Sequence, residues 1–501
     1  MPRDVPVADV VATLRTADLV VQLRGALPAT VSAMTDDSRA VSPGALFVAV
    51  RGAERDGHAF LPQVAERGAA MVVVEDADAA GAVPAVVVRD SRRAAAVLAA
   101  LLYDHPARAL AMAAVTGTNG KTTTVGILRH LLQNGGMDPA ASIGTLGVLT
   151  GSAGAPLPGG SGLTTPGPFE LQRVLRMVAD ASTRAVAMEV SSHSLDQGRV
   201  DGIVFRTAVF TNLTHDHLDY HGTLDAYFAA KARLIALLAP DATAVVNADD
   251  PAWQRLPRAP RRITFSMEGE ADVRAADVRG SASGSTFTLA IGDERFPVHL
   301  PLLGAFNVSN ALGAAGAAWS MGIAPTAIAS ALERAPQVPG RLEVIHQSPA
   351  VLRDYAHTPD ALERALATLR PFTRGRLVVV VGCGGDRDRA KRPRMGAIAA
   401  RGADLVILTS DNPRTEDPER ILDEIEAGLR AELKERGTHA RCHERIEDRR
   451  AAIARALEIA APEDVVLLAG KGHETYQIRG TTRLPFDERE IVRELTGARA
   501  S

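Results

Sequence analysis

The 501-residue sequence has few cysteines, few aromatic residues and little net charge. Its two cysteines, Cys383 and Cys442, cannot build a disulfide framework, which indicates a reducing compartment. Aromatic residues make up 4% of the chain, so we expect cores packed from Ala, Val and Leu. The formal charge of -3 gives no basic surface for nucleic acid, and we expect no nucleic-acid partner.

Long apolar runs are also missing. No run reaches the ~18 residues that a membrane-spanning helix needs, and the longest near-candidate, 94–102, has charged residues on both sides. The first residues lack the basic-then-apolar pattern of a signal peptide. We therefore expect no membrane insertion and a cytoplasmic location.

One stretch has the order strand, glycine-rich turn and helix that is typical of a phosphate-binding loop. The apolar run from Ala109 to Val115 predicts the strand, and a helical composition follows the turn. Gly117 and Gly120 let backbone N–H groups converge on a phosphate at the positive end of the helix dipole. Lys121 adds charge for the β- and γ-phosphates, and the Thr122 hydroxyl is placed to reach Mg²⁺. The glycine spacing is shorter than in the commonest P-loop, so an ordinary strand-to-helix turn is the alternative.

Two further polar clusters lie at the carboxyl ends of predicted strands. Glu189 lies in the strand 185–190, and His217 belongs to a cluster after the strand 207–210. Because ligands of open α/β sheets bind outside the carboxyl ends of the strands, we expect Lys121, Glu189 and His217 to converge. Thr122, Glu189 and His217 together would suit Mg²⁺.

The histidine cluster leaves alternatives open. His215, His217 and His221 suggest a zinc site, although no Cys or His-Glu-x-x-His spacing supports it. The histidines are otherwise ordinary surface or core residues. Lys231 lies in a strongly helical segment, where a lysine usually extends from the helix to water.

The length predicts three domains, at ~100–200 residues each. We place a small α/β domain at residues 1–108, a central domain at 109–341 and a third domain at 342–501. The segment 151–162, rich in Gly, Ser and Pro, is expected to be a mobile surface loop. In the third domain, strands at 351–354, 376–381, 404–409 and 464–469 alternate with helices, which predicts a parallel, doubly wound sheet. All four of these strands end in polar residues, so this domain should also have a polar ligand site.

These motifs resemble those of the Mur ligase family of ATP-dependent amide-forming enzymes, over essentially the whole chain. The segment 116–123 is similar to the family's ATP loop, and Glu189-Val-Ser-Ser-His193 and Asn212-Leu-Thr-His-Asp-His217 are similar to its metal motifs. Lys231 matches its carbamylated lysine (N6-carboxylysine). The resemblance implies catalytic or metal-binding roles for Lys121, Thr122, Glu189, His217 and Lys231, and it implies ATP contacts for Gly117, Thr118, Asn119, Gly120, Lys121, Thr122, Thr123, Asn307, Asn310, Arg341, Asp354 and His357.

The resemblance also implies substrate contacts. The segment 411–414 is similar to the diaminopimelate-recognition motif of family members that add this amino acid, and lysine-adding relatives differ there. The implied diaminopimelate contacts are Arg387, Asp411, Asn412, Pro413, Arg414, Gly470 and Glu474. The implied contacts to UDP-MurNAc-dipeptide are Ser38, Thr164, Thr165, Ser191, Gln197 and Arg199.

What the resemblance implies about fold and activity is specific. We expect a small N-terminal α/β domain that binds the UDP substrate, a central P-loop-type ATP-binding α/β domain and a Rossmann-like C-terminal domain that binds the amino acid. The expected reaction adds meso-diaminopimelate to UDP-MurNAc-L-Ala-D-Glu through an acyl phosphate, with ATP, Mg²⁺ and a CO₂-derived carbamate on Lys231. We expect a monomer in the bacterial cytoplasm that serves peptidoglycan precursor synthesis. The alternatives are a lysine-adding or other sister ligase, and a non-catalytic nucleotide-binding protein of the same folds.

Overall fold

The computed structural model describes residues 4–52, 55–160, 162–437 and 443–497. The chain divides into two compact units. The first contains the residues up to 277 together with 287–298 and 308–336, and the second contains 278–286, 299–307 and the residues from 337 onward. The predicted boundaries at 108 and 341 stay predictions. Cys442 lies outside the described residues.

The N-terminal part of the first unit is built on short, valine-rich strands. Its elements are β1 (Val5–Pro6), α1 (Val7–Thr16), β2 (Val20–Arg24), β3 (Thr30–Val31), β4 (Met34–Thr35), β5 (Leu46–Val48), α2 (Leu61–Glu66), β6 (Met71–Val74), β7 (Ala85–Val88) and α3 (Ser91–Leu102). A five-stranded sheet has the order β2-β7-β6-β5-β4, with only the β2/β7 pair antiparallel. The predicted strands near 45–50, 70–74 and 85–88 are confirmed as β5, β6 and β7.

The next segment forms a large sheet centred on the strand before the glycine-rich turn. Its elements are β8 (Ala111–Thr116), α4 (Lys121–Asn134), β9 (Ala140–Gly144), β10 (Gly147–Thr150), β11 (Ala155–Leu157), α5 (Pro168–Asp180), β12 (Ala185–Glu189), α6 (Ser192–Asp196), β13 (Phe205–Phe210), α7 (Leu218–His221), α8 (Leu224–Ala232), β14 (Leu238–Asn247), β15 (Arg261–Ser266), β16 (Val273–Ser281), β17 (Gly284–Ile291), β18 (Glu294–Leu300), α9 (Ala305–Ser320) and α10 (Pro325–Leu332). From β11 to β16 the strand order is β11-β10-β9-β12-β8-β13-β14-β15-β16.

The parallel register brings two strand ends to the glycine-rich turn. Strand β8 pairs in parallel with β12 and with β13, so Glu189 lies opposite Val115 and Phe210 lies opposite Thr116. The expectation of a mobile surface loop at 151–162 was wrong for residues 155–157, because these form β11, which pairs with β10 in an antiparallel hairpin. Hairpin hydrogen bonds use only backbone groups, so a segment poor in apolar residues can still form a strand.

The C-terminal part of the second unit is a doubly wound sheet. Its elements are β19 (Glu343–Gln347), β20 (Ala350–Asp354), α11 (Pro359–Leu369), β21 (Leu377–Val381), α12 (Lys391–Gly402), β22 (Leu405–Leu408), α13 (Pro418–Glu435), β23 (His443–Arg445), α14 (Arg449–Ile459), β24 (Val465–Ala469), β25 (Tyr476–Arg479), β26 (Thr482–Pro485) and α15 (Glu488–Leu495). The strand order is β19-β20-β24-β21-β22-β23, parallel from β20 onward, which confirms the predicted topology. Strands β25 and β26 form a separate hairpin.

Aliphatic side chains fill the cores, as the composition predicts. The buried clusters consist mostly of Ala, Val, Leu and Ile, and Trp253 is the largest fully buried side chain. Cys383 is buried, and burial raises the pKa of its thiol to about 12, so packing accounts for it. In the described part of the chain, no helix has the length and apolar character to span a membrane.

Candidate active site

The glycine-rich turn between β8 and α4 approaches neighbouring residues too closely for side chains. Gly117 has a φ of 146° and Gly120 a φ of 85°. A Cβ on Gly117 would lie 1.9 Å from Thr211 Oγ1, and one on Gly120 would lie 2.2 Å from Asn310 Oδ1. Both positions therefore require glycine.

Lys121 begins α4 and folds back over the turn. Its Nζ donates to the carbonyl oxygens of Gly117 and Thr118, both at 2.9 Å. The turn is also held from outside, because the Asn119 N–H donates to Asn212 Oδ1 at 2.9 Å and the Thr118 N–H donates to the Asn212 carbonyl at 2.7 Å. Asn212 is the first residue of the motif at 212–217, but the resemblance implies no contact for it. Its place two residues after β13, beside the turn, explains its role.

Glu189 is a buried carboxylate beside the start of α4. Its side chain is 1% exposed, and Thr122 Oγ1 donates to its Oε2 at 3.1 Å. Thr145 donates its N–H to Oε1 at 2.8 Å and its hydroxyl to Oε2 at 3.2 Å. Mg²⁺ prefers oxygen ligands, and a buried carboxylate in contact with a hydroxyl group offers two of them. These residues therefore fit the expected metal.

His217 lies at the start of α7, with a φ of 53° and a half-exposed imidazole. Burial lowers the pKa of His217, Asp216 opposes that shift, and the charges of Lys121 and Lys231 lower the pKa further. The imidazole is therefore in the field of both lysines. The neutral form that these effects favour is the one that binds metals.

The zinc alternative has no geometric support. No group of three or more His, Cys, Asp or Glu side chains in the described part of the chain could hold a metal ion. His221 Nε2 lies 3.0 Å from Ser192 Oγ instead.

Lys231 does not extend to water, so the expectation drawn from its helix was wrong. It is 1% exposed, its Nζ lies 4.4 Å above the Tyr227 ring, and it donates to the Gly117 carbonyl at 2.7 Å. Helix α8 buries this face together with Tyr227 and Phe228. Burial lowers the pKa of Lys231 well below its usual value, and the nearby charge of Lys121 lowers it further.

Four of the predicted dipeptide-binding residues form one hydrogen-bonded cluster. Thr165 Oγ1 donates to the Glu189 carbonyl at 3.0 Å and accepts from the Ser191 N–H at 3.1 Å. Arg199 donates to the Thr165 carbonyl and to Gln197 Oε1, both at 3.0 Å. A fifth residue, Thr164, is linked through Thr145 Oγ1 at 3.3 Å. The sixth, Ser38, lies in the short 3₁₀ helix Ser38–Ala40 of the N-terminal part.

A cleft of about 420 Å³ in the first unit includes one of these residues. Four arginines and three carboxylates line it with Gln197 and two glycines, and the full lining is Arg51, Gly52, Glu75, Asp90, Arg92, Arg93, Asp196, Gln197, Gly198 and Arg233. Arginines offer planar, multiple N–H donors to phosphate oxygens.

The predicted ATP contacts are divided between the two units. Residues 117–123 and Asn310 belong to the first, and Asn307, Arg341, Asp354 and His357 belong to the second. In the second unit, Asp354 Oδ2 accepts from the Leu342 N–H at 2.7 Å, and the Arg341 guanidinium lies 4.9 Å from the centre of the Tyr355 ring. His357 Nδ1 lies 2.9 Å from the Tyr355 carbonyl oxygen.

Asp354 gives the fold a pH dependence. Burial raises its pKa from 3.8 to about 6 in the folded chain, although the positive charge of Arg341 opposes the shift. The folded state binds a proton at Asp354 more tightly than the unfolded state does. Protonation of Asp354 therefore stabilises the fold fully below pH 4, and this stabilisation is lost as the pH rises through 6. We expect Asp354→Asn to gain stability over wild type by roughly 2–3 kcal/mol between pH 4 and pH 7. The measurement is the free energy of unfolding of both proteins in urea at pH 4 and pH 7. If the difference between the two proteins does not change with pH, the pKa of Asp354 is not shifted.

The predicted amino-acid-binding residues lie at the carboxyl ends of β22 and β24. Asp411, Asn412 and Pro413 are buried, and Asn412 Nδ2 donates to Glu474 Oε2 at 2.8 Å. A Cβ on Gly470 would lie 3.1 Å from Asp411 Oδ2. The two strand ends therefore meet. Arg387, also predicted, lies in an exposed turn after β21.

Arg414 adopts a left-handed backbone conformation, with a φ of 51°. The β25–β26 hairpin holds it there, because the Arg414 N–H donates to the Ile478 carbonyl at 3.1 Å and its carbonyl accepts from the Gly480 N–H at 2.7 Å. Its Nη1 donates to the Gly385 carbonyl at 2.8 Å. Arg414 is thus held at both its backbone and its guanidinium group.

With this geometry established, comparisons with known proteins identify the family. Family models match the chain at residues 30–116 (Mur ligase family, catalytic domain), 115–318 (Mur ligase middle domain) and 340–472 (Mur ligase, glutamate ligase domain). The chain belongs to the Mur ligase family. The matched residues include the glycine-rich turn, Glu189, His217 and Asn412.

Relatives of this Mur ligase match it over nearly its whole length. It is 45% identical to a UDP-N-acetylmuramoyl-L-alanyl-D-glutamate--2,6-diaminopimelate ligase of Synechococcus elongatus, over 95% of this chain and 96% of the relative. A protein of the same name from Geobacter metallireducens is 44% identical, over 93% and 94%. A solved structure with this name is 36% identical, with a TM-score of 0.67 and coverage of 95% and 97%. MurF from Acinetobacter baumannii, 20% identical with a TM-score of 0.64 and coverage of 99% of each chain, shares the fold.

One residue at the amino-acid cluster of this Mur ligase was missed by the sequence reasoning. Lys471 is fully buried, and its Nζ donates to Asn412 Oδ1 at 3.0 Å. A lysine between two glycines at a strand end is not itself distinctive. Only its position two residues after β24, beside Gly470, could have indicated it.

Proposed function

We propose that this Mur ligase joins meso-2,6-diaminopimelate to UDP-MurNAc-L-Ala-D-Glu, with ATP as co-substrate, in peptidoglycan precursor synthesis. The observation that carries the proposal is the contact of Asn412 with Glu474 at the ends of β22 and β24, two residues before Arg414, whose guanidinium is tied to the Gly385 carbonyl. Arg414 suits the distal carboxylate of the amino acid, and Glu474 suits its distal ammonium. The near full-length similarity to proteins named for this reaction supports it.

The first half of the proposed reaction activates the D-glutamyl carboxylate. A carboxylate oxygen attacks the γ-phosphorus of ATP, the bond to the bridging oxygen breaks, and ADP leaves behind an acyl phosphate. Two anions must approach each other, so Lys121 and the N–H groups of the glycine-rich turn offset their repulsion. Mg²⁺, held by Thr122, Glu189 and His217, would supply further positive charge.

The second half forms the amide bond. The neutral amine of the amino acid attacks the acyl carbon, phosphate leaves, and the amine proton passes to solvent or phosphate. The site has to hold this amine in place, and we assign that role to the cluster around Asn412 and Glu474, which binds the distal end of the same molecule and so directs the other end toward the acyl carbon.

Lys231 is proposed to carry a carbamate. Carbamylation requires the neutral amine, which bonds to the carbon of CO₂ and releases a proton. The buried setting and the neighbouring Lys121 charge, which both lower the pKa of Lys231, favour that neutral form. As a carbamate, Lys231 would offer oxygen ligands to the metal, whereas its ammonium form would repel a cation.

We expect Lys231→Ala to be nearly inactive and to regain activity when short carboxylic acids are added. Their carboxylate oxygens replace those of the carbamate, and the truncated side chain leaves room for them. The measurement is ADP release against formate, acetate and propionate concentration. Inactivity that no carboxylate rescues would favour a structural role for the buried amine.

The arginine-lined cleft of the first unit is proposed to bind the UDP part of the substrate. Its four arginines offer N–H donors to the oxygens of a diphosphate, and with its three carboxylates the lining has a net charge of +1. Gln197 links the cleft to the Thr165 and Arg199 cluster. The location of Ser38 in the N-terminal part is compatible with the same substrate. We also propose a cytoplasmic location, where ATP is available.

The experiment that tests the function is ADP release with UDP-MurNAc-L-Ala-D-Glu and one amino acid at a time. Release that depends on meso-diaminopimelate and is much weaker with lysine supports the proposal. Release that depends on lysine would indicate the sister ligase, and no release with any amino acid would indicate a non-catalytic protein.

A further inference from the structure

Lys471 is the most completely buried charged group beside the amino-acid cluster. It is 0% exposed, and its ammonium donates to Asn412 Oδ1 at 3.0 Å and to the Tyr476 carbonyl at 2.7 Å. Two carboxylates, Asp411 and Glu474, each lie 3.4 Å away. An ammonium has three donors, and here they all point at the amino-acid cluster or at the hairpin that holds Arg414.

Lys471 and the Ile478 N–H together determine which way the Asn412 amide faces. Asn412 Oδ1 accepts from both Lys471 and the Ile478 N–H, at 3.0 and 2.9 Å, while Nδ2 donates to Glu474 Oε2 at 2.8 Å. A flipped amide would turn its NH₂ group toward two donors and its oxygen toward a carboxylate. The flipped orientation is therefore excluded, and Glu474 is held from two sides.

We propose that Lys471 is a positioning residue for the amino-acid substrate. It acts through Asn412 and Glu474, whose orientation it fixes before the substrate arrives, and through the Tyr476 carbonyl at the start of the hairpin that pins Arg414. The inference rests on the proposed function, because it needs an amino acid at this cluster. A lysine without such a role would be costly here, since a buried charge stabilises less than an apolar side chain of similar size.

The test is Lys471→Met, which keeps an unbranched side chain out to Cε and removes the ammonium with its charge and its donors. We expect KM for diaminopimelate to rise roughly 10- to 100-fold, the loss expected for hydrogen bonds to charged groups. KM for ATP and for UDP-MurNAc-L-Ala-D-Glu should stay within about 2-fold of wild type. In a Glu474→Gln background the same change should raise KM for diaminopimelate by a clearly smaller factor than in wild type, because the part of its action that passes through Glu474 is already lost.

Arg449→Met is the matched control. Arg449 is also 0% exposed, pairs with buried Glu488 and donates to the Ala469 carbonyl at 2.9 Å, so its loss should lower the melting temperature without changing KM for diaminopimelate. The proposal is overturned if Lys471→Met leaves that KM unchanged, raises all three KM values alike, or adds its full effect to that of Glu474→Gln.

A second variant covers the case in which Lys471→Met does not fold. Asn412→Asp keeps the acceptor for Lys471 and Ile478 but places an oxygen opposite Glu474, so KM for diaminopimelate should rise; a wild-type KM would overturn the proposal. If wild type itself does not use diaminopimelate, the proposed function fails separately. The Lys471 comparison is then made with the amino acid that wild type does use.

Discussion

Lys121→Ala should abolish ADP formation and leave the fold intact. Lys121 begins α4, and its Nζ lies over the turn, 2.9 Å from the carbonyl oxygens of Gly117 and Thr118. A bound phosphate would meet the same ammonium together with the N–H groups of the turn. In the variant, the negative charge on the transferring phosphoryl group would lose the Lys121 ammonium. We therefore expect turnover to fall by ~10³-fold or more.

The Lys121 side chain is partly exposed, so its loss should not disturb the core. The measurement is steady-state ADP release, with the melting temperature recorded for each protein. Lys434→Ala, in the last turn of α13, is the control and should behave as wild type. Normal turnover in Lys121→Ala would remove the assignment of the phosphate loop, and a large fall in melting temperature would show that the lysine is structural.

The elements that could be predicted from the sequence share one property: their pattern is local. Valine-rich runs between turns define β5, β6, β7 and β21, and the alternation of strand and helix defines the parallel sheets. The contact between Thr122 and Glu189 also follows from local information, because parallel neighbours end at the same edge of a sheet.

The features that escaped prediction depend on packing between distant segments. Lys231 is buried because the whole face of α8 is covered, and a helical pattern alone does not reveal which face that is. Lys471 acquires its partners from Asn412 and Tyr476 only after β22, β24 and the hairpin assemble. The short β11 strand forms through backbone pairing with β10, for which its side chains give no indication.

The rigidity of Arg414 does not come mainly from the proline that precedes it. Pro413 fixes only its own φ. In the structure the arginine is in the left-handed region, where a residue with a side chain is normally strained, and two backbone hydrogen bonds from the hairpin hold it there. The head of the side chain is then tied to the Gly385 carbonyl. Preorganisation therefore comes mainly from the hairpin.

Arg414→Ala should reduce the preference for diaminopimelate over lysine more than any other single change. Diaminopimelate has a distal carboxylate, which the fixed guanidinium can bind with two parallel hydrogen bonds, and lysine has none. Binding lysine would leave the half-buried Arg414 guanidinium without an anionic partner, a loss that we expect to give discrimination of roughly 10³-fold or better in wild type. Without the guanidinium, kcat/KM for diaminopimelate should fall severely while that for lysine changes little, so their ratio should approach unity.

Arg414→Lys separates charge from geometry. An ammonium keeps the positive charge but lacks the planar fork, and it cannot keep both the Gly385 contact and a two-point grip on a carboxylate, so the wild-type ratio should not return. The measurement is kcat/KM for both amino acids in wild type, Arg414→Ala and Arg414→Lys. Arg420→Ala, an arginine that is 82% exposed on α13, is the control and should keep the wild-type ratio. If Arg414→Ala lowers both kcat/KM values equally, the arginine supports the cluster as a whole and does not recognise the distal carboxylate.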